Sequence, residues 1–277
     1  MTYECFSVNI ADGVAHIQMT RPEKRNSMIP SFWTELPAIV RDIDRNSRAR
    51  AIVISSTGPH FTAGIDIAAF GAGAESEPGE ILAGPQFYEQ VQHLQDAFSA
   101  LEEARIPVLA AIQGGCIGGG VDLATACDLR FATEDAFFTV EETNIGMTAD
   151  VGTFPRLCYL MPEGLVKEMC LLARPLPAAR AHHAGLVNGL YPDHEALIDG
   201  VLQIAAGIAA KAPLAVRGCK RVIHYARDHS TADVLDYIAI WNASMMSKTE
   251  IAEALMARME KRPGKFVDLP KIVGGSD

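Results

Sequence analysis

Val108-Leu-Ala-Ala-Ile112-Gln113-Gly114-Gly115-Cys116-Ile117-Gly118-Gly119-Gly120-Val121-Asp122-Leu123 is the stretch that decides how the chain is read. Five apolar residues have strand length, a glycine-rich turn follows, and a helix is expected from about Gly119 to Ala126. Downstream, Leu129 to Phe131 is a second short apolar strand; upstream, Gln86 to Leu101 reads as a helix. Further back, Phe6 to Met19 alternates apolar and polar residues around Asp12-Gly13, the mark of a hairpin. Pro30 opens a run in which Phe32, Leu36, Ile39, Val40 and Ile43 recur at helical spacing, and the strand Ala51 to Ile54 follows. Strands alternating with helices predict an α/β fold with crossover helices.

Strand signals stop near residue 195, and helices are expected at 195–210, 213–227 and 231–260. The chain therefore reads as a core over residues 1–199 and a helical region over 200–277, with no Pro/Gly/Ser linker between them. Residues 71–85, rich in Gly, Glu and Pro, read as a loop and a candidate lid.

Composition narrows the function. Of 277 residues, 49% are hydrophobic and 21% charged, so a large core needs neither disulfides nor structural metal. Acidic side chains number 34 against 24 basic ones, a formal charge of −10, and no basic run is long enough to track a nucleic acid. The six cysteines contain no C-x-x-C pair, so a zinc site or redox motif is not suggested and the thiols are read as reduced. His182-His183 and the other histidines lack carboxylate or cysteine neighbours at ligand spacing, so no metal is expected. Without an h-region at the start or about 18 uninterrupted apolar residues anywhere, a cytoplasmic location is expected and no membrane insertion.

Two turns carry chemistry: Phe61-Thr-Ala-Gly-Ile-Asp66 and Gly114 to Gly120. Each follows a strand, where ligands of α/β sheets gather, and glycines let a ligand reach backbone N–H groups. Packing alone explains a single such turn; two together point to a site. Neither turn contains G-x-G-x-x-G or a Gly-Lys-Ser/Thr phosphate loop, and the chain has no G-x-S-x-G elbow. Asp122, Glu142 and Asp150 lie in apolar or glycine-rich company, which suits carboxylates with raised pKa values and acid/base work. The plain alternatives are caps and solvated side chains, Asp150 capping a helix that begins near Val151.

Arg21-Pro22 with Asn26, Phe61 to Asp66, Gly114 to Asp122, Cys127-Asp128 and Phe154-Pro-Arg-Leu157 together resemble the crotonase family of enoyl-CoA hydratases and isomerases over nearly the whole chain. Within it, aspartates at 122 and 150 with Glu142 are similar to the dienoyl-CoA isomerase branch, where hydratases carry glutamate at the first position and usually glycine at the last. The resemblance implies a spiral of ββα units with a C-terminal helical region that joins subunits into trimers or hexamers. It implies an acyl-CoA thioester as substrate, coenzyme A being part of it, and no separate cofactor. It also implies an oxyanion hole from the backbone N–H groups of Ile65 and Gly119. Coenzyme A would bind beside Ala63, Gly64, Asp66 and Gly120, with Arg25, Lys261 and Lys265 toward its phosphates. Glu142 and Asp150 become the proton-transfer pair, Asp150 as base and Glu142 as acid, and Asp122 orients Glu142 or raises its pKa. The expected reaction moves a 3,5-dienoyl thioester to the 2,4-diene; hydration or another isomerisation of enoyl-CoA is the alternative within the fold. A non-catalytic acyl-CoA-binding scaffold is the alternative from another class.

Overall fold

A hairpin opens the computed structural model, which describes residues 2–68 and 83–273. Strand β1 (Phe6–Ala11) pairs antiparallel with β2 (Val14–Met19), and the turn needs Asp12 at φ 50° and Gly13 at φ 76°. Two positive φ values in a two-residue loop match the right-handed twist of the strands. Helix α1 (Pro30–Arg45) then returns the chain to β3 (Ala51–Ser56), and α2 (Ala83–Glu103) leads to β4 (Val108–Ile112). Next come β5 (Gly115–Ile117), α3 (Gly119–Ala126), β6 (Leu129–Thr133) and β7 (Phe137–Thr139). Helices α4 (Thr153–Leu160) and α5 (Glu163–Leu172), strand β8 (Leu176–Pro177), α6 (Ala178–Ala184) and β9 (Gly189–Tyr191) complete this part. Four helices follow: α7 (His194–Ala209), α8 (Pro213–Tyr225), α9 (Thr231–Met245) and α10 (Lys248–Met259).

The main sheet has the order β1-β2-β3-β4-β6-β9, parallel from β2 onward; β5, β7 and β8 form a second, small sheet. Every residue of β3 and β4 is buried. Both faces are covered, which is why these strands read as unbroken apolar runs. Ile52, Ile54, Val108, Ala110 and Ile112 pack with α1 and α2, while Ala51, Val53, Leu109 and Ala111 meet Leu197, Val201, Ala205 and Ala209 of α7. The boundary expected at residue 200 therefore falls inside α7, a core helix, and the outer helices start at α8. The single helix expected over 231–260 is two, broken at Met246, because Ser247 caps α10 by accepting the Glu250 N–H.

Helix α9 buries no residue and α10 only Ala257. Leu235, Ile240, Met246, Leu255, Met256 and Met259 are all more than half exposed. After α10 the chain crosses the N-terminal ends of β3 and β4: Arg50 pairs with Asp268 at 2.6 Å and donates to the Phe266 carbonyl, and Arg105 donates to that of Pro270. The stretch expected as a lid lies outside the described residues up to 82; its last three residues belong to α2. Among the described residues no single helix is long and apolar enough to cross a membrane.

Candidate active site

The segments after β3 and β4 run side by side. Thr62 and Cys116 form a parallel bridge, with the Thr62 N–H donating to the Gly115 carbonyl at 3.1 Å and the Ile117 N–H to that of Thr62 at 3.2 Å. Three residues further along both segments, Ile65 meets Gly119: a methyl group on Gly119 would lie 3.5 Å from Ile65 Cγ1 and 3.8 Å from Ile65 N. Ile65 is also bridged to Met28, whose N–H donates to the Gly64 carbonyl and whose carbonyl accepts the Asp66 N–H. In a parallel bridge that pattern turns the Ile65 N–H away from Met28. Gly119 is the first residue of α3, where a helix leaves its N–H groups without intrahelical partners. Among the described residues neither the Ile65 nor the Gly119 N–H has an acceptor.

Gly64 makes this approach possible. Its φ is +83°, and a side chain there would begin 2.6 Å from the Ile117 carbonyl oxygen. Asn26, 3% exposed, holds the facing turn: its Oδ1 accepts the Arg21 N–H, and its Nδ2 donates to the carbonyls of Thr57 and His60. That ties the segment after β2 to the loop after β3. Ala63 donates to the Arg25 carbonyl, and the Ser27 hydroxyl donates to Asp66 at 3.0 Å. A cavity of about 250 Å³ opens beside Ile65 and Asp66, with Met28, Trp33 and Leu94 among its walls. The Gly120 position faces Thr62, whose Cγ2 would be 2.5 Å from an added methyl, so this glycine serves packing.

Three carboxylates lie near one another: the Glu142 charge acts on Asp122, and that of Asp150 on Glu142. Asp122 is three residues after Gly119 on α3, hence on the same side of the helix. It is 1% exposed and accepts a hydrogen bond from Thr153 Oγ1 at 2.7 Å. Burial pushes its pKa from the ordinary 3.8 to about 7; the neighbouring Glu142 charge pushes the same way, while the Thr153 hydroxyl and Arg156 pull back. Glu142 is delivered by β7, which lies parallel to β5 so that the Gly118 N–H donates to the Thr139 carbonyl. Its Oε1 would be 3.3 Å from a methyl on Gly118, and its Oε2 is buried with no hydrogen-bond partner among the described residues. Burial raises its pKa, and the Asp150 charge adds to the rise. Asp150 is half-buried, and burial raises its pKa too. It caps nothing: α4 begins at Thr153 and its cap position, Gly152, has no side chain.

The structure thus brings Ile65, Gly119, Asp122, Glu142 and Asp150 together, with Ala63, Gly64 and Asp66 at the edge. Three expectations change, the first being Gly120, which packs against Thr62. Asp122 hydrogen-bonds Thr153 and not Glu142, so it does not orient Glu142 by direct contact. Lys265 precedes Phe266 at the N-terminal end of β3, opposite the site, and does not join Arg25 within one chain; Lys261 follows α10. Arg25 itself is exposed beside Ala63, and among the described residues its guanidinium has no hydrogen bond or ion pair. Sequence reasoning gave no role to Gln95, Glu102 or Arg156, although Arg156 lies in the quoted Phe154 to Leu157 motif. Gln95 donates to the Asp150 carbonyl at 2.6 Å, and Arg156 pairs with Glu102 at 3.1 Å.

A sequence profile of the enoyl-CoA hydratase/isomerase family matches residues 9–269. The chain belongs to the enoyl-CoA hydratase/isomerase family. It is 41% identical over 98% of its length to the mitochondrial Delta(3,5)-Delta(2,4)-dienoyl-CoA isomerase of Rattus norvegicus, covering 84% of that protein. Identity is 37% to the peroxisomal Delta(3,5)-Delta(2,4)-dienoyl-CoA isomerase of Arabidopsis thaliana, over 97% of this chain and 98% of that one. A crystal structure of a putative enoyl-CoA hydratase from Streptomyces coelicolor A3(2) superimposes with a TM-score of 0.88 at 25% identity, over 96% of this chain and 95% of the other. The fold is the crotonase fold, and this member of the family is an enzyme.

Proposed function

We propose that the enzyme converts 3,5-dienoyl-CoA to 2,4-dienoyl-CoA. The observation that carries the reading is Asp150 near Glu142, whose Oε1 lies against Gly118, next to the unpaired N–H groups of Gly119 and Ile65. Full-length relatives named for this reaction support it.

Removing a proton from C2 of the 3,5-dienoyl thioester spreads the electron pair over a dienolate, and negative charge builds on the thioester oxygen. The N–H groups of Ile65 and Gly119 receive that oxygen; one such donor is worth about 3 to 4 kcal/mol in the transition state. A proton returned at C6 leaves double bonds at C2 and C4. Glu142, with an enclosed and unpartnered oxygen, suits the protonated acid; Asp150, closer to solvent, suits the ionised base. Asp122 is a third, neighbouring carboxyl that does not touch Glu142 and is held by Thr153. Arg25, unpaired beside Ala63, is available to the phosphates of coenzyme A. The exposed apolar residues of α9 and α10 suit association of copies of this chain into a trimer or hexamer.

The test is turnover of a 3,5-dienoyl-CoA beside a 2-enoyl-CoA, followed in the near ultraviolet. Conjugating the diene with the thioester raises absorbance; hydrating an enoyl double bond lowers it. Asp150→Asn and Glu142→Gln are each expected to lose roughly 10²-fold or more of isomerase turnover. The double variant should lose far less than the two losses combined, because both groups serve one proton path. Near-parental isomerisation by a folded Asp150→Asn enzyme would return the assignment to hydration or another enoyl-CoA isomerisation. Binding of acyl-CoA without either turnover would make the protein a scaffold.

A further inference from the structure

We infer that Gln95, Glu102 and Arg156 form a clamp that fixes the Asp150 carboxyl in its working position, and that they act as positioning residues for the reaction. The inference rests on the proposed role of Asp150 in proton transfer.

Asp150 sits on an irregular connection. The 3₁₀ turn Glu142–Ile145 ends at Gly146, α4 starts at Thr153, and the cap of α4 contributes no side chain. A carboxylate on such a segment keeps a fixed direction only if the backbone under it is held from outside. Helix α2 holds one side: the Gln95 amide donates to the Asp150 carbonyl at 2.6 Å. Arg156 of α4 holds the next peptide, its Nη1 donating to the Val151 carbonyl at 3.4 Å. The chain passes under this guanidinium at Gly152, with φ +127°, where a methyl group would lie 1.9 Å from Arg156 Nη1. A side chain at 152 would push the guanidinium from this place, and the φ of +127° favours glycine, so loop and clamp are fitted to each other.

Arg156 is itself fixed. Its Nε pairs with Glu102, seven residues after Gln95 on the same face of α2, and only 11% of its side chain is exposed. The other oxygen of Glu102 pairs with Arg227, which lies beyond α8 and stacks over the Tyr159 ring at 5.5 Å from the centroid. These groups line a cavity of about 380 Å³ together with Asp150. Two arginines share one glutamate there, so Arg156 keeps charge to spare, and it already draws on Asp122 from this side. A purely architectural ion pair would not need its guanidinium on the peptide next to a proton-transfer carboxylate.

The experiment compares Gln95→Met, Glu102→Gln, Arg156→Met and Arg156→Lys in the full-length enzyme, each in the parental and the Asp150→Asn background, with 3,5-dienoyl-CoA. A misplacement of about 1 Å costs on the order of 10²-fold in rate. Arg156→Met and Gln95→Met are accordingly expected to lower kcat about 10- to 100-fold with little change in KM. Arg156→Lys should recover much of the loss, and neither Met variant should cost anything further once Asp150 is Asn. Parental kcat in both folded Met variants would overturn the clamp, as would an equal fractional loss in the Asp150→Asn background. Should Arg156→Met fail to fold, the partly exposed Gln95 carries the test alone. If the Met variants overturn the clamp, an active parent with an inactive Asp150→Asn variant still keeps the proposed function; an inactive parent, or an active Asp150→Asn variant, removes both.

Discussion

Replacing Asp122 by Asn should make the protein more stable at neutral pH by an amount that grows with pH. Burial in α3 beside Thr153 lifts this carboxyl from 3.8 to about 7, so the native state holds its proton far more tightly than the unfolded chain does. For a group raised in this way the sign is the reverse of the usual carboxylate case. Its stabilising contribution is complete below about pH 3.8 and is lost as pH rises through 7, because stability falls wherever the native state binds more protons. At 1.36 kcal/mol per pKa unit, the parent should lose about 2–3 kcal/mol between pH 5 and pH 8 through this residue alone. Asn cannot ionise, and its Oδ1 can still accept the Thr153 hydroxyl.

The assay is thermal unfolding of parent and Asp122→Asn at pH 5, 6, 7 and 8, read as the difference between the two at each pH. Glu142 and Asp150, also raised by burial, titrate in both proteins and largely cancel in that difference. The variant's advantage should widen by roughly 3–5 °C in Tm across the range. A difference that stays flat from pH 5 to 8 would refute the reasoning: Asp122 would then be ionised in the native state throughout, and its burial would be compensated by a partner other than Thr153.

Gly119→Val should abolish turnover of any acyl-CoA substrate while leaving the fold intact by circular dichroism, because its branches enter the gap where a first methyl is already 3.2 Å from Met28 Sδ. Gly119→Ala should be milder, and a folded valine variant with the parental rate would exclude Gly119 from the site. Self-association is expected from the uncovered apolar faces of α9 and α10; a monomer in sedimentation at micromolar concentration would count against it.

What the sequence declares depends on how local the cause is. The hairpin at Asp12-Gly13, the apolar runs of β3 and β4 and the helix beginning at Gly119 are set by neighbouring residues, and all are legible. The small sheet is not: β5, β7 and β8 have two or three residues each, too few for a period to show. Helices α4, α5 and α6 lie in the same stretch, where the sequence offers only a helix beginning near Val151, as the alternative reading of Asp150. The division of the tail into α9 and α10 depends on one serine cap. At the site, the glycines and carboxylates are conspicuous because of what surrounds them in sequence. Gln95, Glu102 and Arg156 were invisible as a group because their meaning lies in contacts more than fifty residues apart. Lys265 illustrates the converse: its charge suggested a phosphate partner, and only the path of the chain past Arg50 shows which end of the sheet it occupies.

Asp122, Glu142 and Asp150 also constrain one another in a way no single residue reveals. Glu142 raises the pKa of Asp122, and Asp150 raises that of Glu142, so Glu142 sits between two like charges. Full ionisation of three such neighbours is costly, and burial raises the pKa of each. The proposed reaction, which takes a proton from one carbon and returns one to another, needs an ionised and a protonated carboxyl together before substrate arrives. The gradient of burial orders them. Asp122, sealed in and bonded to Thr153, is remote from solvent; Glu142 has one enclosed, unpartnered oxygen; Asp150 is the most open, its own carbonyl held from α2 and that of Val151 from α4. In the proposed reaction, the carboxyl nearest to solvent is the one that can regain its starting protonation state after each turnover without opening the core. It is therefore also the one whose position cannot be fixed by burial, and the contacts from Gln95 and Arg156 supply what burial does not.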